Sequence, residues 1–435
     1  MECHKPCNMC ARVACRVDRR GMILVDIILA MSLAAFFVAI FSSTIYSAEQ
    51  SFERAHDSVA TSTADGGNVS LGLASPFHVP VSDMPYCSDD FMGSSSVSTT
   101  PAITPVISTI SLPISPTIPL THLEVRNNTA FISTDSAVAS DPDLFVVNIG
   151  TVGKSIFVAT SSSIISSINT GPGIATFSLV GKRIFAAAAS AAAQLHVIDF
   201  LGTQTGITSL SQPFLENKYK LPLPYATATP PYATAISFDS VGSANQSVNS
   251  RIFLGTEKWD GDEFDTIDVT NPSFPAWTSG FEIGSKVNDI VADSGIAYIA
   301  NAGTDQLIDT AGWRFSPTGW SRQEGESVSI RGGRLILGRT SGGYNIITDP
   351  ELFVFATTSA TKDIPGGVYG IIQDDNHIYA ITHQTSQELQ IFDLALSTST
   401  VFSLPTQPQS ITCDGDTIYV LSNTSPNIYA IKFAH

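Results

Sequence analysis

The feature that most constrains this chain is a motif that returns seven times downstream of His122. The strings LEVRNNTAFIST, TFSLVGKRIFAAA, SFDSVGSANQSVNSRIFLGT, DIVADSGIAYIAN, VSIRGGRLILGRT, GIIQDDNHIYAITH and SITCDGDTIYVLS align on Phe131, Phe185, Phe253, Tyr298, Ile336, Tyr379 and Tyr419, at intervals of 54, 68, 45, 38, 43 and 40 residues. Each copy is an apolar strand, a polar turn and a second strand, and several are followed by a third: DLFVVNI, QLHVIDF, DTIDVTNP, ELQIFDL and NIYAIKF. Period-two alternation and turns such as Asp414-Gly415 predict antiparallel hairpins. Units of this kind bury their apolar faces only against one another. Four-stranded units around an axis account for a period of roughly 40 residues better than a solenoid does. The expected fold is therefore mainly β, a seven-bladed β-propeller head preceded by one long N-terminal hydrophobic α-helix. The last copy ends near Phe433 with no fourth strand, and an open sheet edge invites aggregation. A segment within Ile103–Leu112 is expected to join the last blade and close the circle.

The helix is read from Met22–Ile45, MILVDIILAMSLAAFFVAIFSSTI, 24 residues with one charge and long enough to cross a bilayer. Residues 1–21 carry a net charge of +3 within a chain whose total is −17. Basic residues before an apolar run mark the cytoplasmic side, so the acidic remainder is expected outside. A secretory signal peptide has a shorter apolar core followed by a small-residue cleavage site, and neither is present here. Asp26 is the anomaly, because an unpaired carboxylate in a membrane helix costs about 2.5–3.5 kcal/mol. Beyond the apolar run Ile45, Ala48, Phe52, Ala55 and Val59 continue an amphipathic stripe that ends near Thr61.

The local string RRG-MILVD resembles the type IV prepilin signal, in which a basic leader ends in the glycine that a prepilin peptidase cuts after, and an acid stands fifth in the mature chain. The resemblance implies that Gly21 precedes the scissile bond, that Met22 becomes a methylated N-terminus, and that Asp26 pairs with the terminal amine of a neighbouring subunit during assembly. In the family that acid is usually Glu; here it is one methylene shorter. The pairing is physically sound, since cleavage creates an ammonium at the membrane edge that an acid on an adjacent helix neutralises in a low-dielectric contact. A plain signal anchor with a stray Asp26 is the alternative.

The expected organisation is a cleaved leader over 1–21, a transmembrane pilin-like helix over 22–60, a Ser/Thr/Pro-rich linker over 61–105 and the propeller over 106–435. Frequent proline in the linker prevents helix and favours an extended stalk. Cys3, Cys7, Cys10 and Cys15 precede the apolar run in a spacing that matches no standard zinc pattern. Cys87 and Cys413 follow it and are the candidates for one disulfide in an oxidising compartment. The strings EFDTIDVTNPSFP and ELQIFDLALST look like the LVIVD-type repeats of exported bacterial surface propellers. That resemblance implies architecture and an extracellular setting, and supplies no reaction.

A net charge of −17 excludes a nucleic-acid partner, since nothing here neutralises phosphates. No HExxH, GxSxG or Gly-rich phosphate loop occurs. His377 and His383 flank one strand, and a structural role outweighs a ligand pair. In WDGDEFD, Asp260, Asp262 and Asp265 are candidate Ca2+ ligands, set against a solvated acidic turn. Trp259, Trp277, Trp313 and Trp320 are candidates for stacking on sugars, set against core packing. The expected function is non-enzymatic: a minor pilin or pseudopilin displaying its head for adhesion or for binding an extracellular protein or glycan. Its partners would be prepilin peptidase, other pilin subunits through the helix, and the membrane. The expected location is the cytoplasmic membrane with the C-terminal domain outside, then a pilus or the cell surface. A membrane-tethered extracytoplasmic enzyme and a non-polymerising surface protein are the alternatives.

Overall fold

The computed structural model describes residues 105–433, apart from 137, 139, 150–162, 201–212, 223–229, 242–248, 294, 304–305, 310–313, 316–324, 332–333, 340–342, 349–356 and 395–398. The leader, the apolar run and the linker up to residue 104 lie outside the described residues. Among the described residues no helix is long and apolar enough to cross a membrane.

The described residues build seven four-stranded antiparallel sheets. Six of them use four strands in chain order, and the first strand of each is innermost. These first strands are Leu120–Arg126, Ile174–Val180, Ala233–Val241, Val287–Asp293, Gly325–Arg331 and Gly370–Gln373, and the seventh sheet opens with Pro408–Asp414. Each first strand packs against the first strand of the next sheet, and that of the seventh packs on that of the first, so the sheets form a closed ring. The seven aligned aromatic or aliphatic anchors all fall in the second strands. The second strands Thr129–Thr134, Ile296–Asn301 and Thr417–Ser422 are buried along their whole length, because each is covered by the sheet on either side.

Pro105–Ser111 supplies the outermost strand of the seventh sheet. It pairs antiparallel with Asn427–Phe433, from Pro105 opposite Phe433 to Ser111 opposite Asn427. This is the closing strand expected from the sequence. The interface it helps to seal is a single apolar cluster that includes Leu123, Val125 and Ile132 of the first sheet with Leu421, Ile428 and Ala430 of the seventh.

Tight turns join the first and second strands. Asn127 and Asn128 both have positive φ, 48° and 63°, as a type I′ turn requires. In the seventh sheet Asp414 pairs with Thr417, so the turn residues are Gly415 and Asp416. That places the turn one residue later than the expected Asp414-Gly415, since Asp414 still belongs to the ladder.

Two polar devices recur around the ring. Most first strands carry a bulge at their second residue, which aims that side chain at the neighbouring sheet. Thr121 Oγ1 donates to the Ile174 carbonyl at 2.7 Å, Thr234 Oγ1 to Val287 at 2.6 Å, and Asn288 Nδ2 to Gly325 at 2.7 Å. The second device sits just before the third strand. Asp143 Oδ2 accepts from Thr170 N and Gly171 N, Gln194 Oε1 from Leu221 N, Glu263 Oε2 from Ile283 N and Gly284 N, and Glu388 Oε2 from Leu404 N. Each clamps the segment that leaves the fourth strand for the next sheet. Backbone donors in such buried or half-buried connections need a partner, and these side chains supply one.

Candidate functional site

The polar groups of the described domain fall into an axial set and a rim set. The axial set lies on the first strands and is spent largely on joining sheets. Glu124 Oε1 accepts from Leu179 N at 3.2 Å, Ser237 Oγ from Ala292 N at 3.0 Å, and Asp289 Oδ2 from Val328 N at 2.9 Å. At the far ends of their strands Asp239 accepts from Gly295 N and Asp414 from Asn127 N. Arg126, almost fully buried, donates to the carbonyls of Leu179 and Gly181.

Burial sets the protonation of this set. Loss of solvent pushes the Glu124 carboxyl up to about 7, with Arg126 and the Leu179 amide pulling the other way. Burial likewise raises Asp289 to about 7 against the amides of Val328 and Ile290, with Glu326 adding to the rise. Burial lowers His122 to about 4, so its ring is neutral at pH 7. That ring lies edge-on to Phe177, with centroids 5.0 Å apart.

The rim set is on the third sheet, on the side facing the second. The strand Phe264–Asp268 directs Ile267 into the apolar cluster shared with Tyr219 and Leu221, and Asp265, two residues earlier, lies on the same face. Asp265 is 2% exposed, and its Oδ1 accepts from the indole Nε1 of Trp277 at 2.7 Å. Its Oδ2 is buried without a hydrogen-bond partner. Burial, and then the neighbouring charges of Asp262 and Glu263, push its carboxyl up to about 8 against the Trp277 bond. Trp277 is 40% exposed, and its backbone N–H donates to the Tyr219 hydroxyl at 2.9 Å. Trp259 Nε1 donates to the Asp262 carbonyl at 2.7 Å. The Asp262 carboxylate lies over Gly280, where a Cβ would collide with it.

The residues expected from WDGDEFD are therefore not gathered as ligands. Asp260 is exposed, Asp262 lies on Gly280, and Asp265 turns inward to Trp277. Among the described residues no three His, Cys, Asp or Glu side chains are grouped so as to hold a metal ion. His377 and His383 also part company. His377 stands beside Asp374 at 3.5 Å, whereas His383 stacks on Tyr369 with centroids 3.5 Å apart and meets the Pro408 carbonyl through Nε2. Trp259 is half-buried and Trp277 exposed, while Trp313 and Trp320 lie outside the described residues. Cys413, 2% exposed in the apolar cluster between the sixth and seventh sheets, is disulfide-bonded. Gly21, Met22, Asp26 and Cys87 lie outside the described residues.

Reading the sequence motif by motif missed the clamps. Their signal was present: aligned third strands begin DLFVVNI, QLHVIDF, EFDTIDV and ELQIFDL, with Asp, Gln or Glu in the first place each time.

No protein-family model matches the sequence, and no curated protein matches it. Among solved structures the chain is similar to virginiamycin B lyase from Staphylococcus aureus. The TM-score is 0.54 at 12% identity, over 76% of this chain and 100% of that one. The described domain is a β-propeller. The WD40 domain of Pan2 from Neurospora crassa is also similar, with a TM-score of 0.48 at 10% identity over 75% of this chain and 94% of that one. At these identities the likeness is one of fold, and the propeller's chemistry has to be argued from its own residues.

Proposed function

We propose that the chain is a type IV pilin-like surface protein, a minor pilin or pseudopilin, that displays a seven-bladed propeller for adhesion or for binding a protein or glycan outside the cell. Processing after Gly21 would expose Met22, and Asp26 would pair with the terminal amine of an adjoining subunit. The single observation that favours an exported head is the disulfide at Cys413, because such bonds persist in oxidising compartments. We assign Cys87 as its partner. The other cysteines, Cys3 to Cys15, belong to the leader that would be discarded on the cytosolic side.

The position of the first described strand fits display. Pro105–Ser111 is the outermost strand of its sheet, so the chain enters the ring at the rim. A head of this size packs poorly along a filament of closely spaced helices and fits at its end. Mass spectrometry of the mature N-terminus tests the reading. A methylated Met22 is expected, and an intact 21-residue leader refutes it. Asp26→Ala should then abolish incorporation into filaments while leaving the head folded.

A further inference from the structure

Resting on the assignment of Cys87 made above, we propose that the chain around it, residues 85–91, is seated on the margin between the sixth and seventh sheets. Residues 88–104 then form a strap across the end of the seventh sheet, from the bond at Cys413 to the closing strand. The occupant of this margin is the protein's own linker.

The place is fixed first by the disulfide. Cys413 is bonded, and the five other cysteines all precede residue 105. The compact unit that holds the ring runs from Ser75 to His435, so it takes in Cys87 and leaves out Cys3 to Cys15. A disulfide keeps its two Cα atoms about 4.4–6.8 Å apart, which sets residue 87 against the first strand of the seventh sheet.

Both ends of the intervening chain also fall at one end of that sheet. Cys413 pairs with Ile418, Ile418 with Ile431, and Ile431 with Ile107, a single row across all four strands. Pro105 stands two residues further along, opposite Phe433. Three strand spacings, roughly 14 Å, separate the innermost strand from the outermost. The 17 residues from 88 to 104 span roughly 60 Å when extended, so they cross without strain.

The row has one facing. Cys413, Ile418, Ile431 and Phe433 are buried in the apolar cluster that joins the seventh sheet to Tyr379 and Leu389 of the sixth, and Ile107 packs against it half-buried. Phe433 stands one residue beyond the ladder with Thr417–Ser422, which stops at Lys432, and is still 1% exposed. Tyr379 lies on one side of it, with ring centroids 6.2 Å apart. A linker that reaches Cys413 from Pro105 passes the other side, and its string PYCSDDF places Tyr86 and Phe91 on either side of Cys87. A cysteine from a second copy is the competing partner. The chain's own residue 105 is already paired into the same sheet, which gives Cys87 the higher local concentration. The linker then grips the head at two points, and a head held in this way does not swivel about Pro105.

The test starts from full-length protein in detergent, blocked with iodoacetamide and digested without reduction. Mass spectrometry should find the Cys87 peptide joined to the Cys413 peptide, in protein that runs as a monomer on a non-reducing gel. Hydroxyl-radical labelling of the folded protein then compares wild type with Cys87→Ser. Labelling of Phe433 and Ile107 should rise at least threefold in the variant. Phe131 and Phe253, buried at other joints of the ring, should be unchanged and show that the variant is folded. A bond from Cys413 to any of Cys3 to Cys15 or to a second copy, a free Cys413, or equal labelling of Phe433 in the two proteins overturns the proposal. The disulfide map is made on the wild type and decides even where Cys87→Ser does not fold. A Cys87–Cys413 bond with an intact leader keeps the strap and refutes the pilin reading, and a methylated Met22 with equal labelling does the reverse.

Discussion

Replacing Asp143 by alanine should loosen one identifiable joint of the ring. Asp143 is fully buried, and its Oδ2 takes three hydrogen bonds, from Thr170 N at 2.5 Å, Thr170 Oγ1 at 3.0 Å and Gly171 N at 2.8 Å. Hydrogen bonds to a charged group contribute about 1.5–3 kcal/mol each, and a buried donor left without a partner costs about 1–3 kcal/mol. The three do not add in full. Gly171 N also reaches Asn169 Oδ1 at 2.9 Å, so its loss is partly compensated. Burial also raises the Asp143 carboxyl's affinity for protons, and removing that desolvated charge returns part of the penalty. The orphaned amide of Thr170, itself 2% exposed, then dominates, and the expected loss is about 2–4 kcal/mol. Asp143→Asn retains an acceptor and should lose about 1 kcal/mol. The assay is urea unfolding of the full chain, with amide exchange followed by mass spectrometry across residues 169–173. Exchange there should accelerate in the alanine variant while the seventh sheet keeps its protection. An alanine variant within about 0.5 kcal/mol of wild type, with unaltered exchange at Thr170, refutes the clamp argument.

Three further outcomes are expected. Asp289 titrates at about 7 when folded and near 3.9 when unfolded, so the folded chain holds the proton more tightly and its stability falls as pH rises from about 4 to 7. His122, lowered to about 4 from an unfolded value near 6.5, acts in the opposite sense and costs stability as pH falls through that range. Asp289→Asn should therefore gain on wild type by roughly 2–4 kcal/mol between pH 4 and pH 7, allowing for partial exposure, and a pH-independent difference in denaturation midpoint would show that burial does not govern this carboxyl. Gly343 has φ of 94°, and a Cβ there would run into the Lys362 carbonyl, so Gly343→Ala should cost about 3 kcal/mol or more by thermal unfolding; a neutral result contradicts the geometry. Cys413→Ala should lower stability by about 2–5 kcal/mol and leave Cys87 open to alkylation without prior reduction, and an unreactive Cys87 in that variant rules out the assigned pair.

Much of the architecture was legible in the chain. The anchors from Phe131 to Tyr419 sit in the second strands because a strand covered on both faces must be apolar throughout, and that requirement is local. Closure by a segment near Ile107 followed from arithmetic: the last copy had three strands, and an unpaired edge is unstable. The destinations of the polar side chains were not legible in the same way. WDGDEFD reads as one acidic cluster, but strand pleat and the inward turn of Asp265 separate its members, and what Asp265 meets is Trp277 on the adjacent strand. Glu124 and Asp289 are ordinary polar residues in sequence, and only the packing of the next sheet gives them the amides of Leu179 and Val328 and the burial that raises their pKa. The sequence by itself determined which residues must be buried and how often the unit repeats, because apolar periodicity acts within a strand and its turn. The tertiary structure decided which polar atom faces which, because the clamps join residues 16 to 28 positions apart across a folded sheet, and the bonds of Glu124, Ser237 and Asp289 join residues 39 to 55 positions apart that only the packing of one sheet on the next brings within hydrogen-bonding distance.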